Sequence, residues 1–350
     1  MSVVKRLRDY GIKPGYLQPG PDNAITDVPG VGVGHCTLMA GKEIRTGVTA
    51  ILPHYGNLFV EKVPAAVEII NGFGKAAGLS QIMELGELET PVLLTNTLSV
   101  GSVLDALVSY KLERNPEIGR KQPTVNGVVL ECNDGYLNDI RARKVSAEHV
   151  RAALAAASRE RPAEGSVGAG TGMTSFGCKG GIGNSSRIAG DYICGVLVLS
   201  NFGRWHQLKI DGLPVGQLLA NPGPEEQEKG SIVMVVATNA PLDARQLRRV
   251  ARRAGFGLAR TGSVAGNGSG DFALAFSIGV KYTEGGKTRD VTVFRDSELD
   301  LLFEAVVEAT EEAILNALFT AGSMEGRDGH FRPALPIKEV LTLLSKCGNA

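Results

Sequence analysis

The stretch KGSIVMVVA at positions 229–237 places a small residue, Gly230, and a serine, Ser231, directly before a run of apolar residues. The run Ile232–Ala237 is short and rich in valine and isoleucine, which is typical of a buried strand. A serine that opens such a strand lies where loops on a rigid sheet commonly carry functional groups. Composition alone is equally consistent with an ordinary boundary between a loop and a strand.

On both sides of this junction, strand and helix patterns alternate along the chain. Apolar runs predict further strands at Val48–Leu52, Val92–Thr95, Val125–Leu130, Tyr192–Leu199 and Phe272–Ile278. Helical spacing predicts helices at Pro64–Leu79, Val100–Leu112, Ser146–Ala157, Asp243–Leu258 and about Ser297–Thr320. Because the two kinds of element are interleaved, we predict one α/β or α+β domain over residues 1–350, with layered helices and sheets.

Helix ends are marked by capping signals. Asp243 and Gln246 have the spacing of a capping box, Ser297 and Asp300 have a similar spacing, and Gly322 lies where a glycine stop is expected. The last helix is apolar nearly all round, so we expect it to lie between a sheet and a neighbour. The polar, proline-bearing stretch Asn221–Lys229 predicts a loop that is too short to tether separate domains.

Composition excludes several functional classes. The 37 basic and 37 acidic residues give a formal net charge of zero, which argues against a nucleic-acid partner. No apolar run approaches the roughly 20 residues of a membrane span, and the N-terminus lacks the apolar core of a signal peptide. Five cysteines without a CxxC pair fit a reducing compartment, and the scattered histidines give no metal-site spacing. We therefore expect a cytoplasmic protein with no membrane partner, metal or cofactor.

The glycine surplus, 45 of 350 residues, has no simple motif behind it. The densest stretch, Gly165–Gly183, lacks the GxGxxG fingerprint in register, and the chain has no P-loop and no GxSxG elbow. Tight turns and close backbone packing explain most such glycines.

Polar residues crowd against three of the predicted strands. Glu131–Asp139 follows Val125–Leu130, Ser200–Gly203 follows Tyr192–Leu199, and Gly262–Asp271 precedes Phe272–Ile278. Turn chemistry accounts for each of these segments equally well when they are taken singly.

Taken together, these segments resemble the DmpA-like family of L-aminopeptidase/D-amidase-esterases and β-aminopeptidases. The resemblance covers most of the chain and also includes Asn71–Lys75, Glu84–Gly101, Gly165–Gly183, Gly230–Pro241 and Glu311–His330. It implies a four-layer α/β/β/α sandwich with an N-terminal-nucleophile fold, shared with ornithine acetyltransferases. It also implies no cofactor and a homo-oligomer, a tetramer of processed protomers.

The resemblance implies that the precursor cuts itself at Gly230–Ser231 into an α-chain of residues 1–230 and a β-chain of residues 231–350. The freed Ser231 is then both nucleophile and N-terminus. A serine hydroxyl needs a nearby base, and an α-amine with an ordinary pKa of about 7.7–8.0 suits that role near neutral pH. Self-cleavage itself creates this base, because the nitrogen is an amide beforehand.

The remaining site residues are carried over from the same resemblance. Ser269 would relay a proton, and Asp271, at a position that is Asp or Glu in the family, would hold the α-ammonium or orient Ser269. Asn201 matches the donor to the oxyanion, and Tyr136 matches a donor to the intermediate. Glu131 is the candidate to bind the free ammonium of a small-molecule or short-peptide substrate.

Two alternatives remain open at this point. Acyl transfer of the ornithine acetyltransferase type would use the same fold, although those enzymes have a threonine at the cut where this chain has Ser231. A binding or assembly protein that kept only the scaffold is the other, and the joint presence of Ser231, Ser269, Asp271, Asn201 and Tyr136 argues against it.

Overall fold

The computed structural model describes residues 4–223, 230–283, 287–288 and 290–347. Most of its strands belong to two sheets. In chain order, the strands are β1 (Gly32–Ala40), β2 (Ile44–Leu52), β3 (Glu61–Gly72), β4 (Glu87–Leu88), β5 (Val92–Asn96), β6 (Val128–Cys132), β7 (Thr174–Ser175), β8 (Cys178–Lys179), β9 (Gly181–Ala189), β10 (Tyr192–Asn201), β11 (Ser231–Thr238), β12 (Gly270–Ser277), β13 (Tyr282–Thr283), β14 (Met324–Glu325) and β15 (Phe331–Arg332).

The helices are distributed along the chain between these strands. They are α1 (Leu79–Leu85), α2 (Val100–Arg114), α3 (Ala147–Ala155), α4 (Val215–Leu218), α5 (Ala244–Arg260), α6 (Asp300–Phe319) and α7 (Ile337–Cys347).

The first sheet has the strand order β1-β2-β5-β6 and the second has the order β13-β3-β12-β11-β10-β9, with β4 also paired to β3. In the second sheet β11 lies at the centre, antiparallel to β10 and parallel to β12. The strand that Ser231 opens is therefore covered by neighbours on both edges.

Three hydrophobic clusters define four layers. Residues of α2 and α3 pack on one face of the first sheet, and residues of α5 and α6 pack on one face of the second. The third cluster lies between the two sheets. The predicted α/β/β/α sandwich is confirmed. In strand β11, Ile232 and Met234 face the helices, whereas Val233 and Val235 face the other sheet.

All six predicted strands are present, and β6 begins at Val128 instead of Val125. Strands β1 and β9 were not predicted from the sequence. The sequence of β9, GIGNSSRIA, carries polar residues that are buried with the core, so it lacks the apolar pattern by which strands are recognised.

The predicted helix at Pro64–Leu79 is wrong, because this segment forms β3 and a loop before α1 begins at Leu79. The apolar residues fit helical spacing, but in the structure successive residues are buried on opposite faces of the segment, as in a strand. Val63, Ala65 and Val67 face the space between the sheets, Ala66 faces the helices, and β12 pairs along the strand. Tertiary pairing overrides the local pattern here.

The capping box at Asp243 is confirmed: the Gln246 N–H donates to Asp243 Oδ1 at 2.7 Å, and Asp243 N–H donates to Gln246 Oε1 at 3.2 Å. The cap predicted at Ser297 is wrong, because its hydroxyl donates to Glu298 and α6 begins after Leu299. The same helix ends at Phe319 with Thr320 as its C-cap, so the glycine stop predicted at Gly322 is wrong. As expected, α6 is buried nearly all round, between the second sheet and α5.

The arginines on α5 form its solvent face. Arg248 and Arg252 pair with Glu68, and Arg245 pairs with Asp296. Of the predicted loop Asn221–Lys229, residues 224–229 lie outside the described residues.

Candidate active site

The central strand places Ser231 in one row with residues of both neighbouring strands. Ser231 is paired with Asn201, the last residue of β10, and with Gly270, the first residue of β12. The Gly270 N–H donates to Ser231 Oγ at 3.1 Å. Because side chains alternate along a strand, Ser231 shares the face of Val233 and lies at the end of the space between the two sheets.

Ser269 and Asp271 lie on either side of Gly270, and both are buried. The Ser269 hydroxyl donates to Asp271 Oδ1 at 2.6 Å, the length of a strong bond to a carboxylate. The backbone carbonyl of Ser269 accepts from the amide of Asn71 and from the Phe73 N–H at 3.3 Å. The register thus places Ser231, Asn201, Ser269 and Asp271 at the same end of three neighbouring strands.

The amide of Asn201 has a defined orientation. Its Oδ1 accepts from the Thr174 N–H at 2.8 Å, and its Nδ2 donates to the Asn133 carbonyl at 3.1 Å. An amide nitrogen carries two N–H donors, so one of them is available for a substrate oxygen. Thr174 begins the short strand β7 within the glycine-rich stretch Gly165–Gly183, and Asn133 lies in the loop that follows β6.

Gly230 is packed too closely for any side chain. A Cβ at this position would lie 2.3 Å from the Asn201 carbonyl oxygen and 2.4 Å from Phe202 Cα. Both obstacles belong to the backbone, so they cannot rotate away. The residue before Ser231 must therefore be glycine for the chain to keep this path beside Asn201.

Glu131, the penultimate residue of β6, is buried and accepts two hydrogen bonds. Its Oε1 accepts from the Lys75 N–H at 2.8 Å, and its Oε2 accepts from the Thr97 hydroxyl. Gly74 connects this carboxylate to the row of Ser231: a Cβ on Gly74 would lie 3.3 Å from Glu131 Oε1, and one on Gly270 would lie 2.8 Å from Gly74 Cα. The segment Asn71–Lys75 therefore bridges the two parts of the site.

Tyr136 lies in the loop that follows β6. Its ring contacts residues of the C-terminal part of the chain. Its ring stacks on His330, with centroids 4.6 Å apart, and the Arg332 guanidinium lies 3.7 Å from its centroid. His330 Nδ1 and the Tyr136 carbonyl oxygen are 2.8 Å apart. The loop itself reaches the oxyanion candidate through Asn133, whose carbonyl accepts from the Asn201 amide.

Several partners in this site were missed by sequence reasoning. Thr97, Thr174 and Asn133 contact the predicted residues, and the last two do so through backbone groups that have no sequence signal. The only signal was the resemblance itself, which includes Asn71–Lys75, Glu84–Gly101 and Gly165–Gly183.

The thiols near the site are protonated. Burial raises the pKa of Cys132 well above its usual value, and the charges of Glu131 and Asp271 raise it further. Cys36, Cys178 and Cys194 are also free thiols whose pKa burial raises. Across the described part of the chain, no three acidic, histidine or cysteine side chains are grouped to bind a metal, and no helix there has the length and apolar character to span a membrane.

Comparison with solved structures identifies the class of fold. The L-aminopeptidase D-Ala-esterase/amidase of Ochrobactrum anthropi, described as a serine aminopeptidase and a variant of the Ntn hydrolase fold, matches with a TM-score of 0.92 and 36% identity. The match covers 98% of this chain and 99% of that one. The PH0078 protein of Pyrococcus horikoshii OT3 matches with a TM-score of 0.95 and 50% identity, with the same coverage. The fold is therefore that of an Ntn hydrolase of the DmpA type.

The family model named peptidase family S58 matches residues 23–332. The chain belongs to that family. The β-peptidyl aminopeptidase BapA of Sphingosinicella xenopeptidilytica is 40% identical over 352 residues, which cover 92% of this chain and 86% of the relative. The protein is thus a peptide hydrolase, an aminopeptidase, and these relatives favour hydrolysis over the acyl transfer that the sequence left open.

Proposed function

We propose that Ser231 is the nucleophile of this aminopeptidase and that self-cleavage at Gly230–Ser231 makes it the N-terminus of a β-chain of residues 231–350. The observation that carries the proposal is the row formed by Asn201, Ser231 and Gly270, with Ser269 and Asp271 on either side of Gly270. It gathers a nucleophile, an oxyanion donor and a proton-accepting pair at one end of the second sheet.

Self-cleavage follows from the same groups. Ser231 Oγ attacks the carbonyl carbon of Gly230, and the C–N bond breaks as the ester C–O bond forms. The proton of the hydroxyl moves to the departing nitrogen. Water then hydrolyses the ester, which leaves a carboxylate on Gly230 and a free α-amine on Ser231. The missing side chain at Gly230 leaves its carbonyl accessible to the hydroxyl.

In peptide hydrolysis the new α-amine takes over as the base. It accepts the proton of Ser231 Oγ, directly or through Ser269, while the hydroxyl oxygen attacks the scissile carbonyl. The remaining N–H of the Asn201 amide donates to the oxyanion. The leaving amine takes up the proton, and water hydrolyses the acyl-enzyme by the reverse path. We assign Tyr136 as a further donor to the intermediate on the strength of the family resemblance.

The substrates are short peptides, amides and esters with a free N-terminal amine. Glu131 supports this class, because its buried carboxylate already has two donors that keep its oxygens in place and it retains further acceptor capacity for an ammonium group. The names of the relatives include both β-peptidyl and L-aminopeptidase activities, so a panel of L-α-, D-α- and β-aminoacyl amides defines the preference.

We also propose a homotetramer of processed protomers in the cytoplasm. The resemblance supports the tetramer, and exposed apolar side chains such as Leu85 and Phe256 offer surface for an interface. The free thiols of Cys36, Cys132, Cys178 and Cys194 support a reducing compartment. Light scattering of the processed protein and cell fractionation test the two statements.

The decisive experiment is intact-mass analysis with N-terminal sequencing of the purified protein and of Ser231→Ala. We expect two chains from the parent, the second beginning with Ser231, and a single inactive chain from the variant. An uncut parent that hydrolyses aminoacyl amides, or an active Ser231→Ala protein, would refute the proposal.

A further inference from the structure

The glycine-rich stretch Gly165–Gly183 contains a lysine that is completely buried. The Lys179 ammonium donates to the carbonyls of Gly170 at 3.0 Å, Met173 at 2.8 Å and Gly180 at 2.8 Å. An ammonium has three N–H donors and no acceptor, so three carbonyls satisfy it completely. A neutral amine has only two donors and would turn its lone pair towards one of the carbonyls. The surroundings are therefore built for the charged form.

Lys179 ends a short hairpin that covers the strand carrying Asn201. Strands β7 and β8 are joined by Phe176 and Gly177, both with left-handed φ angles of 52° and 77°, as a two-residue hairpin turn requires. The Phe176 N–H donates to the Phe202 carbonyl at 2.9 Å. The hydroxyls of Ser175 and Ser200 lie 2.8 Å apart. The hairpin is thus docked on the end of β10.

One peptide group connects the ammonium to the oxyanion candidate. The carbonyl of Met173 accepts from Lys179, and the N–H at the other end of the same peptide group, that of Thr174, donates to Asn201 Oδ1. A hydrogen bond from a charge to the carbonyl polarises the peptide group and strengthens its N–H as a donor. The same effect continues through the side-chain amide, whose Nδ2 becomes a better donor when its Oδ1 accepts.

We propose that Lys179 is a positioning residue for Asn201, and that its ammonium aligns and polarises the 173–174 peptide group so that the Asn201 amide presents its N–H to the oxyanion. This inference rests on the proposed role of Asn201. It gives the glycine-rich stretch a function: bare backbone lets three carbonyls converge on one ammonium group.

A second buried ionisable group, Asp134, lies in the loop that follows β6, and burial raises its pKa to about 7. Asp134 is fully buried and packs against Gly172, where a Cβ would lie 2.9 Å from its own Cβ. Burial lowers the pKa of Lys179, and the carboxyl group of Asp134 opposes this shift. The three carbonyl acceptors favour the charged form as well. Asp134 also directly follows Asn133, whose carbonyl is the second partner of the Asn201 amide.

The test compares Lys179→Met, which keeps an unbranched side chain one atom shorter and removes the charge, with Asn201→Ala and the double variant. Rates are divided by the processed fraction measured by intact mass, so that incomplete self-cleavage does not distort kcat. We expect Lys179→Met to lower kcat about tenfold or more with KM within about threefold, in the range of a lost charged hydrogen bond. In the double variant, the decreases in kcat caused by the two single substitutions should not multiply.

Chemical rescue separates the charge from simple packing. Lys179→Ala removes the three methylenes and the ammonium beyond Cβ, so n-propylammonium restores the missing atoms and n-propanol restores only their bulk. We expect kcat to recover with propylammonium and not with propanol. Thr174→Pro removes the connecting N–H and leaves the lysine in place, so it should lower kcat as Lys179→Met does. It is the test variant if the lysine variants do not accumulate as folded protein.

The outcomes separate the two proposals. If Asn201→Ala lowers kcat while Lys179→Met and Thr174→Pro leave it within twofold, the role of Lys179 is refuted and that of Asn201 stands. If Lys179→Met lowers kcat while Asn201→Ala does not, both assignments are wrong. Fully multiplicative effects, or equal rescue by propanol, also overturn the inference.

Discussion

The hydroxyl of Ser269 donates its proton to Asp271 Oδ1 over 2.6 Å, beside the glycine whose N–H donates to Ser231 Oγ. This relationship sets a direction for proton transfer. Because the Ser269 proton is committed to the carboxylate, its oxygen can act towards other groups as an acceptor, which suits a group that receives a proton. The pair therefore supports the α-amine of Ser231 in accepting the nucleophile's proton.

Replacement of Asp271 by asparagine tests this direction. Asparagine can still accept from the Ser269 hydroxyl through its Oδ1, but it lacks the negative charge that stabilises a proton transferred towards Ser269 or the α-amine. We expect Asp271→Asn to lower kcat by roughly a hundredfold, within the range for positioned acid–base groups, with the processed fraction taken into account. Asp271→Glu keeps the charge and should retain more activity. Equal rates for the asparagine and glutamate variants would contradict the assignment.

Gly230 gives a prediction about processing alone. A methyl group at Gly230 would overlap the backbone of Asn201 and Phe202 at 2.3–2.4 Å. We expect Gly230→Ala to slow self-cleavage strongly, so that the full-length chain persists on a denaturing gel over hours. Gly322→Ala is the matched control, because a Cβ there meets nothing within 4 Å. Prompt processing of Gly230→Ala would show that this packing does not control the cut.

From the position of the Glu131 carboxylate we predict that the enzyme prefers substrates with a free N-terminal amine. Loss of a charge-assisted hydrogen bond costs about 1.5–3 kcal/mol, so Glu131→Gln should lower kcat/KM for aminoacyl amides by roughly tenfold to a hundredfold. The same variant should narrow the difference between free and N-acetylated substrates. Glu84→Gln, at an exposed position, is the control. Unchanged selectivity in Glu131→Gln would restrict this carboxylate to holding Lys75 and Thr97.

The sequence marked three places where polar residues adjoin a strand, and the family resemblance then selected Ser231, Asn201 and Asp271 among them. Their catalytic roles remain predictions, and the structure adds that strand pairing aligns the three residues. Their supporting contacts could not be predicted, because the Thr174 N–H and the Asn133 carbonyl are backbone groups that every residue carries. Lys179 was missed for a related reason: its three acceptors are carbonyls of a glycine-rich loop, and only the folded loop brings them together.

The error at β3 has a different physical origin. Ala66, Ile69, Ile70 and Phe73 fit a helical stripe, but Val63–Val67 is buried on both faces of the strand, so its apolar run leaves the period ambiguous, and Ile69 and Phe73 are exposed. Pairing with β12 decides the outcome, and that pairing joins residues about 200 positions apart, such as Asp271 and Asn71. The alternating strands elsewhere were recognised because their runs are short and bounded by turn residues.

The proposed base predicts the pH dependence of kcat. Below its pKa of about 7.7–8.0 the α-amine of Ser231 is an ammonium and cannot accept a proton, so kcat should rise from pH 6 to pH 9 with a midpoint near 8. The substrate's own amine titrates in the same region, which affects kcat/KM; kcat at saturation is therefore the measurement. A profile that is flat from pH 6 to pH 9 would exclude the α-amine as the base.

The buried thiols yield a prediction that separates serine from cysteine chemistry. Burial raises the pKa of Cys178 and Cys194 to about 12 and that of Cys132 well above its usual value, so at pH 8 the reactive thiolate is scarce. We expect iodoacetamide to leave the activity unchanged. With Cys347→Ser in both proteins, Ser231→Cys should lose its residual activity under the same treatment, because its thiol is placed at the reacting centre. Inactivation of the parent in step with alkylation of Cys132 would instead identify a thiol that the reaction needs.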